Sequence, residues 1–415
     1  MDNKLSFKYE YSMVIMMAVV WGFVGLNRIG IAFLFPFIVP YFHLNYLQAG
    51  LLISGTSGLW AVSSWLFGVL GDRYGKKRVF VPAMLFSAVM AALLGIAGGF
   101  AGLLLIRALI GVGDGVGASV GYSMVADIST PARRGLNMGI YSSGYTLAGA
   151  GVGALVITRI AASLGWQWVY PILGVGMVAF SLVVLRWFVD RSGTNTTTEN
   201  ISDTEQKISL WEVFKYRSFG LIVIINILTL TWMMVSNSFN ALFLTKVHHL
   251  SPVMAGSVLA GAGILGFAGQ WICPAVSDFI GRKPVVIGCT IISFCASLFF
   301  IFGSFSPVIL AVFISIAGFF GWGQLPLTVA IIIGEAVPQR LHATAIGTSN
   351  FIAVIIGTFI MPSLGGWAAD KWGLTSPLII AAAAILLVAV FMVMVPESAP
   401  RRLKTGNVFP PVSAA

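Results

Sequence analysis

Charge is scarce in this chain. Of its 415 residues only 9% are Asp, Glu, Lys or Arg, while 58% are apolar. Soluble domains carry about a quarter charged residues, so a soluble globular class is excluded. Cysteine is scarcer still: Cys273, Cys289 and Cys295 are the three, all in apolar stretches. They show neither metal-ligand spacing nor a disulfide framework, so packing is their reading and no metal site is expected. No histidine falls mid-span, since His43, His248, His249 and His342 all lie near loops. A nucleotide-binding loop and a catalytic constellation are both missing, which argues against a pump or an enzyme and leaves no cofactor to expect.

What the chain has in abundance is long apolar runs. They repeatedly exceed the eighteen or so residues that mark a membrane-spanning helix. Twelve helices are predicted, near 12–38, 46–70, 79–99, 101–126, 137–163 and 167–189, then 217–244, 252–277, 285–304, 306–333, 344–368 and 375–395. The polar start, Met1 to Glu10, runs directly into a span too long for the core of a signal peptide. The predicted division is a six-helix bundle over 1–189, a polar linker over 190–216, a second bundle over 217–396 and a tail over 397–415. The solvent for this all-α membrane protein is the lipid bilayer.

Basic residues set the orientation. Nineteen of the 24 Lys and Arg fall in the termini, the linker and alternate short loops. By the positive-inside rule both termini are expected to be cytoplasmic. The net charge of +10 is therefore topology rather than a nucleic-acid-binding face. The opposite loops and span ends hold three, Arg159, Lys246 and Lys371, and only Arg28 and Arg107 lie deep within spans.

The two halves repeat. "GVLGDRYGKKRVF" at 68–80 has its counterpart in "PAVSDFIGRKPVV" at 274–286, with Asp72 and Asp278 separated by 206 residues. Pro131 and Pro338 are 207 apart, and Gly165 and Gly373 are 208 apart. A near-constant offset indicates duplication of a six-helix unit. Parallel repeats of this kind occur in secondary transporters whose substrate site lies between the halves.

On these residues the chain resembles the major facilitator superfamily over nearly its whole length. The loop after the second helix matches the signature G-x-L-x-D-R-x-G-R-K through Gly68, Leu70, Asp72, Arg73, Gly75, Lys76 and Lys77, with Lys76 in place of arginine. The second copy keeps Asp278, Gly281, Arg282 and Lys283. Asp127 and Glu335, at the ends of the fourth and tenth helices, are expected to join these charge clusters. The resemblance implies twelve transmembrane helices in two pseudo-symmetric six-helix bundles, moving against each other in alternating access.

Within that superfamily the chain is similar to the anion:cation symporters, the group of sialin, the vesicular glutamate carriers and bacterial sugar-acid permeases. Arg28 stands in "GLNRIGIAFLFP" of the first helix, and Arg107 with Asp114 forms an R-x6-D pair in the fourth, where the group usually has R-x6-E. Sugar-acid members often place an Asp before the first-helix arginine, where this chain has Asn27. Proton-driven drug exporters usually carry a Gly-Pro step in the fifth helix, which "GIYSSGYTLAGAGVGALV" lacks. The resemblance thus implies uptake of a small organic anion, such as a sugar acid, together with a proton. An exporter or exchanger of organic anions or drugs is the alternative, and a monomer is expected.

Energetics support a role for the buried charges. An Arg or Asp at the membrane centre costs about 2.5–3.5 kcal/mol on insertion scales. A buried ion pair rarely repays that through stability alone, and two arginines against one acid leave a positive charge free for an anion. Asp114, the only acid well inside a span, is the expected proton carrier. Arg107 and Asp114 share a helix face about 10 Å apart along the axis, so no direct bond is expected. Arg28, Arg107 and Asn27 are the expected substrate contacts, and Tyr145, Asn237, Trp322, Gln324 and Asn350 are candidate walls, although singly such residues more often serve helix packing. Reporter fusions at Thr197 and Lys404 are expected to report the same, cytoplasmic side. Opposite sides would break the twelve-span reading.

Overall fold

The computed structural model describes residues 7–130, 133–188, 210–338 and 341–398. Most of the expected linker, the tail beyond Ser398 and Pro131 of the repeat lie outside them. Every regular element among the described residues is helical. Hydrocarbon offers backbone amides no partner, so each span must satisfy them within itself.

Twelve helices are long and apolar enough to cross a membrane. They are α1 (Lys8–Tyr41), α2 (Tyr46–Tyr74), α3 (Lys76–Ile96), α4 (Phe100–Ile128), α5 (Arg134–Leu164) and α6 (Trp166–Trp187). The second set is α7 (Ser218–Lys246), α8 (Pro252–Ile280), α9 (Arg282–Phe302), α10 (Pro307–Glu335), α11 (Thr344–Trp372) and α12 (Thr375–Met394). No predicted boundary is displaced by more than four residues. The helices overrun the apolar runs mainly where charges lie, as at Lys76 and Arg282, because long basic side chains reach past the hydrocarbon edge. Glu10, expected in the polar start, sits fully buried in the first turns of α1 and accepts from Asn137 Nδ2 at 2.7 Å.

The repeat extends into the backbone. Gly75 and Gly281 turn the chain between α2 and α3 and between α8 and α9 at φ 95° and 116°. Gly165 and Gly373 do the same before α6 and α12 at 95° and 87°. These left-handed angles explain glycine at all four places. Among the described residues His43 and His249, 206 residues apart, are the non-glycine residues with positive φ, at 51° and 55°. Each precedes the cap of a long helix: Asn45 accepts from Gln48 N, and Ser251 accepts from Met254 N. Wider π-helical turns interrupt α4 and α5 at Gly117–Gly121 and Leu147–Val152, and α10 and α11 at Leu327–Ile331 and Val354–Ile360.

Helix packing repeats as well. In the first bundle α2 packs on α4, α4 on α3 and α3 on α6; in the second, α8 packs on α10, α10 on α9 and α9 on α12. The bundles meet through α1 with α7, α2 with α11 and α5 with α8. The loops bearing the repeated charge motif lie at one end, called here the motif end. The opposite end carries the turns around His43 and His249.

Close approach of α1 and α5 depends on small residues. A Cβ on Gly25 would collide with the Tyr145 carbonyl, and one on Gly144 with the Ala18 carbonyl. Gly25→Val is therefore expected to cost about 1–3 kcal/mol through overpacking and to lower the unfolding temperature. Gly98→Ala, with nothing within 4 Å of the new methyl, is the control and should leave it unchanged. Equal melting of both variants would contradict this packing.

Candidate functional site

The buried charges of the first bundle gather around the middle of α1. Arg107, on α4, is wholly buried. Its Nε donates to the Leu52 carbonyl of α2 at 3.3 Å, its Nη2 to the Arg28 carbonyl at 3.4 Å, and its Nη1 to the Asn27 carbonyl. All three acceptors are backbone oxygens, so this guanidinium ties α4 to α1 and α2. Tyr170 Oη of α6 donates to the same Asn27 carbonyl at 3.5 Å.

Almost two turns further along α4, Asp114 is also fully buried. Its Oδ1 accepts from Ser87 Oγ of α3 at 2.5 Å and from Asn27 Nδ2 at 3.2 Å. Its Oδ2 has no hydrogen-bond partner. Neither arginine forms an ion pair with it. Asn27 lies between the two charged groups, with its carbonyl on Arg107 and its amide on Asp114. That amide also reaches Ser87 Oγ at 3.3 Å and Met177 Sδ at 3.7 Å. The expectation of Asn27 as a substrate contact meets a different geometry: its side chain points among α3, α4 and α6, away from the opposite bundle. An asparagine can satisfy a buried carboxyl and a hydroxyl together, and here it does.

Arg28 follows Asn27 and points about 100° away around the helix. Its Nη2 donates to Ser57 Oγ of α2 at 3.3 Å, and its guanidinium lies 4.2 Å from the centre of the Trp60 ring. It is 7% exposed, and its Nε has no partner. Arg28 thus keeps donor capacity, whereas all three nitrogens of Arg107 already donate. Tyr145, tilted on Trp21 at 5.5 Å, likewise leaves its hydroxyl unpartnered.

The remaining candidate walls belong to the second bundle. Asn237 and Trp322, with Asn240, Ser236 and Ser297, line a cavity of about 40 Å³ among α7, α8, α9, α10 and α12. A smaller space of about 20 Å³ joins Asn237, Asn240 and Trp322 to Phe33 of α1 and Ala150 of α5, at the junction of the bundles. Gln324 is fully buried, with Nε2 on Thr229 Oγ1 at 3.5 Å and Oε1 unpartnered. Asn350 accepts from Asn226 Nδ2 at 2.8 Å. Gln324 and Asn350 therefore face α7, while Asn237 and Trp322 face the cavities. Sequence reasoning missed Ser57, Trp60, Ser87 and Tyr170, because a lone serine or aromatic in an apolar span carries no distinguishing pattern.

At the motif end, Lys76 Nζ pairs with Asp127 at 2.6 Å. In the second copy Arg282 pairs with Asp278 at 2.6 Å and Glu335 at 3.2 Å. Lys77 Nζ donates to the Phe188 carbonyl at 2.8 Å, and Lys283 Nζ to the Val393 carbonyl at 2.5 Å. Asp72 and Arg73 are exposed, the latter over Tyr74 at 5.4 Å. Gly68 is not pressed against α4, since a Cβ there would meet Ser119 only at 3.6 Å.

Arg107→Lys should lower the unfolding temperature, because the donors of an ammonium radiate from one nitrogen and cannot span the three carbonyls that the guanidinium reaches from three, and each loss costs about 1–3 kcal/mol. Arg28→Lys should leave it nearly unchanged. Thermal unfolding of both variants checks this, and the reverse order would overturn the division of roles.

Comparison with known proteins places the chain. Residues 17–355 match the Major Facilitator Superfamily. A hexuronate transporter of Bacillus subtilis (strain 168) is 26% identical over 386 residues, covering 84% of this chain and 85% of its own. A probable 4-methylmuconolactone transporter of Cupriavidus pinatubonensis is 22% identical, covering 83% and 81%. Among solved structures, a bacterial homologue of the human lysosomal transporter Spinster superposes with a TM-score of 0.73 at 18% identity, over 94% of this chain and 96% of its own. The nucleoside transporter NupG superposes with a TM-score of 0.71 at 14% identity, over 93% and 99%. The chain belongs to the Major Facilitator Superfamily and is a multi-pass membrane transporter, not an enzyme.

Proposed function

We propose that the protein is a proton-coupled symporter that takes up a small organic carboxylate, such as a sugar acid, by alternating access of its two bundles. The observation that carries this reading is the pairing of Arg28, buried yet with a free Nε, and Asp114, buried yet with a free Oδ2. A planar guanidinium matches a carboxylate through two parallel hydrogen bonds. Trp60 beneath Arg28 holds the fork in one plane. Similarity to a hexuronate transporter supports an acidic sugar, and the Asn237, Asn240 and Ser297 side chains offer partners for hydroxyls.

Proton and anion are coupled through α1. Substrate on Arg28 neutralises part of the positive field beside Asp114, so proton and substrate favour each other's binding. Oδ2 is the atom that takes up the proton, since Oδ1 is held by Ser87 and Asn27. With an amide at position 27, one carboxyl-borne proton moves per cycle. Arg107, Asn27, Tyr170 and Ser87 hold the site in shape. In this reading the membrane is a bacterial inner membrane, and the basic loops support a cytoplasmic motif end and cytoplasmic termini. Lys76 with Asp127 and Arg282 with Glu335 brace that end of each bundle.

Arg28→Lys keeps the charge but loses the fork, so substrate affinity should fall by about 10-fold or more. Near-normal affinity would remove Arg28 from the site. Asp114→Asn mimics the protonated state; it should bind substrate and lose uphill, pH-driven uptake in proteoliposomes. Full accumulation by that variant would rule Asp114 out as the carrier. A thermal-shift screen should show stabilisation by hexuronates and related sugar acids ahead of aromatic acids. Stabilisation by cationic drugs alone would reverse the substrate class.

A further inference from the structure

Asp370 ends α11 on the rim opposite the motif end. Its Oδ1 accepts from Tyr46 N at 2.8 Å and its Oδ2 from Leu47 N at 2.9 Å. Tyr46 and Leu47 are the first residues of α2, in the other bundle. The opening amides of a helix have no acceptor within it, and the positive end of the helix dipole favours an anion there. Asn45 already serves the amide of Gln48 through its side chain, and Gln48 returns a bond to Asn45 N. The two amides left over are those that Asp370 takes. The start of α2 is thus completed by the opposite bundle.

Below the carboxylate the same seam is tight. Ser54 Oγ and Ser363 Oγ lie 2.7 Å apart. Gly50 is pressed on the Pro362 carbonyl, and Gly366 on the Tyr46 carbonyl. A Cβ on Gly58 would meet the Phe359 ring at 2.9 Å.

The other seam, between α5 and α8, is built without such a carboxylate. Its matching helix start has Ser251 as cap and Pro252 as first residue, which has no N–H to donate. By the 208-residue offset that relates Gly165 to Gly373, the position matching Asp370 is Ala162. Close packing holds α5 on α8 instead, from Gly256 against Ala154, through Gly263 against Gly151, to Gly139 near the Trp271 ring, with one hydrogen bond from Gln270 Nε2 to Thr146 Oγ1 at 2.8 Å. One seam is sealed by close packing along most of its length. The other ends in a water-exposed contact between a carboxylate and two backbone amides.

We propose that Asp370 is the latch of the gate at this end of the transporter. It holds α2 against α11 while the substrate path is closed there, and releases the two amides to water when that path opens. The exposed rim suits this role, because water replaces the carboxylate at the Tyr46 and Leu47 amides and the contact can break reversibly. The inference rests on alternating access but on neither the substrate nor the proton.

Amide hydrogen exchange on the full-length protein in lipid nanodiscs tests it and needs no substrate. Asp370→Asn should speed exchange roughly three- to ten-fold in peptides covering 46–60 and 359–372, as the open population rises. Peptides covering 151–158 and 256–263, in the other seam, should not change. Tyr46→Pro removes one of the two donors by the device that α8 uses, since proline suits the first helical position and Asn45 is already extended. It should also speed exchange at 359–372, and it serves if Asp370→Asn does not fold. Unchanged exchange at the α2–α11 seam in either folded variant overturns the latch. So does an equal rise in both seams, which would mean general loosening. Failure of sugar acids to bind, with the latch result obtained, would count only against the substrate reading.

Discussion

The contact on which the site depends is a buried guanidinium spent on backbone oxygens. Arg107 reaches from α4 to the carbonyls of Asn27, Arg28 and Leu52, using the second lone pair that a helical carbonyl keeps after its own helix bond. Charge-assisted bonds of this kind offset the cost of burial. They also set the rotation of α1 against α2 and α4. With that rotation set, Asn27 must face α3 and α4, and Arg28, the next residue, must face α2. One clamp thereby places the amide against Asp114 and the guanidinium over Trp60.

The two halves share an architecture and divide the chemistry. Matched helix pairs, matched left-handed turns and matched π-helical turns show a common plan. Within the described residues, the mid-span charges all belong to the first bundle, while the second offers amides, serines and Trp322 around its cavities. A π-helical turn widens a helix and redirects its side chains, so its recurrence in α4, α5, α10 and α11 places departures from regularity near the centre of both bundles. The asymmetry between the seams follows the same logic, since small local differences such as Pro252 against Tyr46 decide which joint carries a carboxylate on a helix start.

Much of the fold was legible because hydrocarbon imposes a simple rule. Apolar runs of span length must be helices, and their number, order and pseudo-symmetry follow from hydropathy and the repeated loop motif. The three mid-span charges were legible for the same reason, being conspicuous where burial is expensive. Asp127 and Glu335 were legible as partners of the loop cations from their places at helix ends. Ser57, Ser87 and Trp60 were not, since nothing local separates a serine bonding its own helix from one bonding a neighbour. Asp370 looked like an ordinary charge at a span end, because its partners are backbone amides that carry no residue signature.

The sequence by itself determined that this is a twelve-helix membrane protein of duplicated design with two arginines and one acid in its interior. Composition and periodicity suffice for that, because the bilayer penalises every alternative. Only the tertiary structure decided which arginine is free. Spacing along α4 puts Arg107 and Asp114 on one face, but it is the close approach of α1 that commits Arg107 to carbonyls and leaves Arg28 with an open donor. That approach is a contact between helices distant in sequence, and such contacts leave no periodic trace in either.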